Sequence, residues 1–264
     1  MRFAVRHNLN NSVAVLDSRL LAGLNCEEFL SQRENEEYSR FRAPVRKSEW
    51  LAGRLSSKFL WLNDGDSRQS GMLSASELRR FPTCMYRETE VVRYDHVRFG
   101  IPQVGHGNAF RDVAISHTNG IACSLLGDGK AIAIDMERVE TRSPVFYKGN
   151  FTGGEKSRAA ESFRLHGLDP HWTFTLLWSI KECLLKTPAY NNLSLWDMPA
   201  IDIRIVGGEN NLTGPQSARE FSGEFISIDV EAAHRDCVVS HSVSISGRYD
   251  LVLTVIRGVD RGTM

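Results

Sequence analysis

The chain has 264 residues, with 32 lysines and arginines balanced by 32 aspartates and glutamates, and a hydrophobic fraction of 42%. This length allows one large domain or two small ones, and the zero net charge argues against a general electrostatic binder of nucleic acids or membranes. The cysteines are scattered and lack CxxC spacing, which predicts a protein without disulfides or zinc. The N-terminal segment has no apolar run, and no stretch approaches the roughly 20 apolar residues of a membrane span. We therefore expect a cytoplasmic protein.

The first strongly patterned segment is a predicted helix that carries a tryptophan and two cations along one stripe. Trp50, Arg54 and Lys58 recur at i, i+4 and i+8, which places them on the same face. Such a run is either a solvated helix face or a surface that receives phosphates. The cations concentrated around this helix are Arg40, Arg42, Arg46, Arg54 and Lys58.

A polar segment, SHTNG, separates two apolar runs further along the chain. Ser116 and His117 begin this segment, which we expect to form a tight turn at the ends of two strands. His117 either donates a hydrogen bond to a phosphate or is an ordinary histidine on the surface of a turn. None of the other histidines has the spacing of a metal site.

The apolar segment at 131–134 predicts a short buried strand that leads directly into two acids. Asp135 and Glu137 are two residues apart, so their side chains leave the same face of the strand. Neighbouring carboxylates repel each other, and a shared Mg²⁺ would relieve that repulsion while leaving coordination positions for water and a substrate phosphate. The alternative is a solvated turn or a helix cap at the strand exit.

A second amphipathic helix is predicted at 176–186, with charged residues close to its apolar face. Glu182 and Lys186 stand at i and i+4, the spacing of an ordinary ion pair on a helix surface. In the functional interpretation, Glu182 binds the metal or accepts a proton, and Lys186 contacts a phosphate.

The two halves of the chain repeat the same patterns in the same order. The recurring segments are W-x3-[RE]-x3-K at 50–58 and 178–186, a capping-box signature at 25–28 and 152–155, and a turn into a strand at 115–126 and 245–256. Chance similarity between amphipathic helices is the alternative. We predict a duplicated α+β unit, with an N-terminal subdomain at 1–127 and a C-terminal subdomain at 128–264.

The order of these motifs resembles the Sfp-type, single-chain branch of the phosphopantetheinyl transferases. The resemblance covers roughly residues 25–190, and the order is far more specific than any one motif. The matching residues are Gly53-Arg54 with Lys58, then Ser116-His117, then Asp135-x-Glu137, and finally Trp178-Ser179-x-Lys181-Glu182-x3-Lys186.

This resemblance implies an α+β fold of two pseudo-symmetric, similar subdomains with coenzyme A bound in the cleft between them. It implies transfer of 4′-phosphopantetheine from coenzyme A to a serine of an apo acyl, peptidyl or aryl carrier protein, which leaves 3′,5′-ADP. The implied ion is Mg²⁺, with Mn²⁺ as an alternative. The expected partners are coenzyme A and the carrier, and the expected oligomeric state is a monomer.

The resemblance also implies roles for individual residues. Asp135, Glu137 and Glu182 would hold the metal. Glu182 would act as the base for the carrier serine, with Lys181 as the second candidate. Lys186 and His117 would add donors to the phosphates. The residues assigned to coenzyme A are Arg46, Arg54, Lys58, Ser116, His117 and Lys186.

Several positions depart from the family pattern. Ala133 replaces a glycine before the metal aspartate, and Ile101 stands where a phosphate-binding lysine is common. Glu34 and Glu37 occupy positions that are often basic. The pattern therefore does not assign the residues that would hold the 3′-phosphate. Two rival functions follow from these observations: a non-catalytic binder of coenzyme A or a nucleotide, and a Mg²⁺-dependent phosphohydrolase that uses the same acids on water.

Overall fold

The chain divides into two compact units, with a boundary between Met136 and Glu137. Helices and a sheet occur in both, so the predicted α+β class is confirmed. The predicted joint at 127/128 lies a few residues earlier along the chain. The computed structural model describes residues 13–64, 71–93, 102–127, 131–166, 169–187, 195–207, 226–234, 237–248 and 251–259.

Among the described residues, the first sheet has six strands in the order β2-β1-β6-β5-β4-β3. The strands are β1 (Val13–Asp17), β2 (Gly71–Met72), β3 (Glu90–Arg93), β4 (Pro102–His106), β5 (Ala109–Thr118) and β6 (Ile121–Leu126). Strands β1 and β2 pair in parallel, whereas the other neighbours are antiparallel. The apolar strands β1 and β6 are buried along their whole lengths, so the centre of this sheet belongs to the core.

Helix α2 crosses this sheet and forms most of its cover. It runs from Pro44 to Leu62, with the proline at a first-turn position where a missing N–H costs nothing. Leu51, Leu55 and Phe59 are completely buried at i, i+4 and i+8, and the helix packs on β1, β5 and β6. The other helices of this unit are α1 (Gln32–Ser39), α3 (Ala75–Leu78) and α4 (Thr83–Glu88).

The turn after β5 is a two-residue hairpin loop. Thr118 pairs with Ile121, and the intervening Asn119 and Gly120 have φ values of 47° and 80°. Positive φ at both central positions is what the favoured Asn-Gly hairpin turn requires. The predicted tight turn is confirmed, but Ser116 and His117 lie within the strand rather than in the turn.

In the part of the chain that the structure describes, the second sheet has five strands in the order β7-β11-β10-β9-β8. The strands are β7 (Ala131–Arg138), β8 (Asp202–Gly207), β9 (Ile226–His234), β10 (Cys237–Arg248) and β11 (Leu251–Val259). Strands β8 to β11 pair antiparallel in succession, and the turn predicted at 245–256 is the β10–β11 hairpin. The helices that follow β7 are α5 (Pro144–Asn150), α6 (Gly153–His166) and α7 (Pro170–Leu185), and α7 packs on β11.

The thiols of Cys26, Cys84, Cys123 and Cys183 are all free, and the last two are buried. Within the described ranges, no helix is both long enough and apolar enough to cross a bilayer.

Gly53 allows α2 to approach the sheet closely. A Cβ atom at this position would lie 2.9 Å from the branched Cγ2 of Ile115 on β5. The Gly53 carbonyl also accepts a hydrogen bond from the Ser124 hydroxyl on β6 at 3.2 Å. A larger residue would therefore push the helix away from contacts that hold it to two strands.

We expect Gly53→Ala to destabilise the protein, because the steric clash outweighs the better helix propensity of alanine and leaves a net loss of about 1 kcal/mol. Gly149→Ala is the matched control, since a Cβ atom there meets nothing within 4 Å. Urea denaturation followed by tryptophan fluorescence measures the difference. Equal midpoints for the two variants would contradict this account of Gly53.

Candidate functional site

Lys58 is part of the core of the first unit. Its side chain is 0% exposed, and its ammonium group donates to the Glu34 carboxylate, to the Phe29 carbonyl at 2.9 Å and to the Tyr86 carbonyl at 2.8 Å. Burial lowers the pKa of Lys58, and the charge of Glu34 opposes that shift. An ammonium group has three donors, and all three are used here. The predicted contact of Lys58 with a coenzyme phosphate is therefore wrong.

Glu34 explains why Lys58 is held in this way. Its carboxylate accepts from the backbone N–H of Ser31 at 3.0 Å and of Val91 at 3.1 Å, in addition to Lys58. Ser31 and Glu34 form a complete capping box at the start of α1. The capping box predicted at 25–28 is wrong, because Asn25 precedes a short 3-10 helix without a side-chain cap.

Lys181 is a second buried lysine, and it belongs to the second unit. It is also 0% exposed, and it donates to the Asn150 carbonyl at 2.8 Å, to Glu155 Oε2 at 2.8 Å and to the Met198 carbonyl at 3.1 Å. Burial lowers the pKa of Lys181, with Glu155 opposing the shift. Since its donors are used inside its own unit and no part of it is exposed, the predicted proton transfer by Lys181 is wrong.

Glu155 supports Lys181 as Glu34 supports Lys58. The predicted capping box at 152–155 is confirmed, with Thr152 N donating to Glu155 Oε2 at 2.8 Å and Glu155 N donating to Thr152 Oγ1 at 3.1 Å. The other carboxylate oxygen accepts from the backbone N–H of Ile203 at 3.0 Å. The repeat in the sequence paired Lys58 with Lys186, but Lys186 is exposed at the C-terminal end of α7.

Arg46 and His117, two predicted phosphate ligands from distant segments, are in contact. The Arg46 guanidinium lies 2.5 Å from His117 Nε2, which brings the first turn of α2 next to the end of β5. Arg46 is exposed and His117 is partly exposed. A guanidinium and an imidazole side by side at the surface offer several donors to an anion. This pair is the strongest candidate for a phosphate site in the first unit.

Glu49 completes this cluster, and sequence reasoning missed it. Its Oε2 lies 3.2 Å from His117 Nδ1, and its Oε1 accepts from the backbone N–H of Gly120 at 3.0 Å. Nothing in the local pattern singles out one acid on a basic helix. Its position one turn after Arg46, on the same face of α2, was the only available signal.

Ser116 points away from His117 because neighbouring residues of a strand face opposite sides. Its hydroxyl donates to Asp135 Oδ1 at 3.1 Å and accepts from the backbone N–H of Met136 at 3.2 Å. Asp135 is only 3% exposed and lies within β7, which rules out a solvated turn. Ser116 therefore contacts Asp135, a predicted metal ligand.

The other two predicted metal ligands belong to the second unit. Glu137 Oε1 accepts from the Trp178 indole at 3.2 Å, and Oε2 from Arg142 at 2.7 Å. Glu182 is half-buried on α7. Carboxylate oxygens suit Mg²⁺, but the described residues contain no group of three or more His, Cys, Asp or Glu side chains arranged to hold a metal.

Arg54 is largely buried and lies over the Trp50 ring, 4.6 Å from its centroid. Its guanidinium is 3.4 Å from the Glu37 carboxylate, and burial lowers the pKa of Arg54 against the influence of that charge. Two departures from the family pattern thus have internal roles, Glu37 beside Arg54 and Glu34 beside Lys58. Another departure, Ile101, lies outside the described residues.

The chain matches no protein-family model and no curated protein.

Replacing Lys181 should destabilise the second unit while replacing Lys186 should not. Lys181→Met leaves the Glu155 carboxylate buried without its cation, and we expect a loss of about 3 to 5 kcal/mol in the free energy of unfolding. Lys186→Met removes an exposed charge, so we expect a change within about 0.5 kcal/mol. Urea denaturation of both variants and the wild type measures these effects.

The double variant Lys181→Met/Glu155→Gln provides an internal check. We expect it to be more stable than Lys181→Met alone, because the uncompensated charge is gone. Wild-type stability in Lys181→Met would show that the buried pair does not support the unit.

Proposed function

We propose that this protein transfers 4′-phosphopantetheine from coenzyme A to a serine of an apo carrier protein, as Sfp-type phosphopantetheinyl transferases do. The observation that carries the proposal is the contact between Arg46 and His117. Both were singled out as phosphate ligands, and they come from segments that are far apart in the chain. The motif order, with Asp135 and Glu182 downstream, adds the acids that the reaction needs.

We further propose that the two units are diverged copies of one α+β ancestor. In each, a buried lysine donates to the glutamate of a capping box, to a carbonyl two residues before that box and to a carbonyl further along the chain. This match aligns Lys58 with Lys181 rather than with Lys186. In this alignment the two copies are paired through their buried lysines, in a different register from the one that the tryptophan spacing indicated.

In the reaction, the carrier serine oxygen attacks the phosphorus that bears the pantetheine. A new P–O bond forms, the pyrophosphate P–O bond breaks, and 3′,5′-ADP leaves with the electron pair. The serine proton passes to a base, for which Glu182, half-buried on α7, is the proposed residue. Arg46, His117 and Lys186 would donate to phosphate oxygens, where Arg46 has the advantage of a forked donor pair.

The motif resemblance assigns Asp135, Glu137 and Glu182 to Mg²⁺, although the described residues do not form a metal cluster. When bound, the ion would supply positive charge for the phosphoryl oxygens. Ser116 would orient the Asp135 carboxylate through the hydrogen bond it donates. Arg142 and the Trp178 indole do the same for Glu137. Arg54, enclosed between Trp50 and Glu37, would contribute charge rather than a direct contact.

The decisive experiment is to incubate the protein with coenzyme A, Mg²⁺ and apo acyl, peptidyl and aryl carrier domains, and then to weigh each carrier. The expected result is a gain of one phosphopantetheine by at least one carrier. If none gains mass while coenzyme A binds unchanged, the protein is a binder. Release of coenzyme fragments without any carrier identifies a hydrolase.

Removing either central carboxylate should abolish transfer without unfolding the protein. Asp135→Asn and Glu182→Gln keep the size of each side chain, and we expect each to lower the rate at least about 100-fold, the range of a lost general base or charge-stabilising group. Glu36→Gln, on the exposed face of α1, is the control and should keep the wild-type rate. Full activity in either test variant would remove that acid from the mechanism.

A further inference from the structure

Glu49 is a buried carboxylate at the centre of the cluster that holds His117. It is 8% exposed, and its two oxygens contact different parts of the β5–β6 hairpin: the Gly120 N–H at 3.0 Å and the His117 ring at 3.2 Å. A buried carboxylate is costly unless hydrogen bonds compensate for lost water. These two contacts therefore fix both the carboxylate and the hairpin end relative to α2.

The contacts on its two ring nitrogens determine the protonation of the neutral His117 ring. A guanidinium only donates hydrogen bonds, so His117 Nε2, 2.5 Å from Arg46, must accept. The ring proton is then on Nδ1, the nitrogen that lies 3.2 Å from the Glu49 carboxylate. A line of polar contacts thus runs from Arg46 through His117 to Glu49.

We propose that Glu49 is a positioning residue of the coenzyme site: it holds His117 as the Nδ1–H tautomer, in the orientation that places Nε2 beside Arg46. This inference rests on the proposed function, in which Arg46 and His117 meet a phosphate of coenzyme A. Glu49 itself does not touch the coenzyme. A carboxylate behind a histidine acts in the same way in metal sites, where it fixes tautomer and ring orientation.

This positioning role explains why an acidic side chain lies beside the proposed phosphate site. A carboxylate facing a phosphate directly would repel it, but the imidazole ring stands between Glu49 and the exposed guanidinium. The negative charge then stabilises the cationic side of the cluster. The second contact of Glu49, with the N–H of Gly120, ties the same carboxylate to the hairpin turn that follows His117.

Two measurements on the wild type and two variants test this role. Ring ¹⁵N NMR of His117 at a pH where the ring is neutral should show a protonated Nδ1 and an unprotonated Nε2 in the wild type. We expect Glu49→Ala to shift the tautomer toward Nε2–H. Calorimetric titration with coenzyme A should give a Kd at least about tenfold weaker for Glu49→Gln and Glu49→Ala, as expected when a charged hydrogen-bond acceptor is lost.

Glu36→Gln is again the matched control and should leave both the tautomer and the Kd unchanged. A merely structural Glu49 would lower the melting temperature of its variants but keep the His117 tautomer and the wild-type affinity, and that result overturns the proposal. A wild-type ring protonated on Nε2 overturns it as well.

The two measurements also separate this inference from the proposed function. If the wild type does not bind coenzyme A, the proposed function fails and Glu49 loses its role toward the coenzyme. If the wild type binds coenzyme A and both Glu49 variants bind it equally well, only the positioning role fails.

Discussion

The buried lysine–glutamate pair is the interaction on which each unit of this protein depends. A charge pair without water is costly, and it persists only when further hydrogen bonds satisfy the remaining donors and acceptors. Lys58 and Lys181 each meet this requirement with two backbone carbonyls, while Glu34 and Glu155 each cap a helix and accept from a following strand. In each unit, the pair thereby links the start of one helix, a core helix and a strand.

Each buried lysine anchors one face of its helix in the core, so residues on the other faces of that helix are available for a functional site. Helix α2 buries Lys58 near its C-terminal end and presents Arg46 at its exposed first turn. Helix α7 buries Lys181 and carries the half-buried Glu182 as the next residue. Adjacent residues on a helix point in directions about 100° apart, which is how a structural lysine and a candidate base share one short motif.

Much of the local structure could be predicted from the sequence, but the fate of individual charges could not. The helices around 50–58 and 176–186, the strand at 131–134 and the hairpin turn before Ile121 all follow from periodicity and turn chemistry. The W-x3-charge-x3-K spacing did not indicate which lysines are buried, because such spacing arises easily on amphipathic helices. Whether a lysine is buried depends on a partner far away in sequence, as Glu34 is for Lys58, and Glu49 was missed for the same reason.

The proposed transfer requires binding of coenzyme A through the phosphates of the coenzyme, and a test of that binding does not depend on the unknown carrier. Calorimetric titration of the full chain with coenzyme A, with and without Mg²⁺, measures it. We predict binding of one coenzyme A per chain that is tighter with the ion and weakened by Arg46→Gln. No heat of binding under either condition, or equal affinity for coenzyme A and for pantetheine without phosphates, would contradict the account.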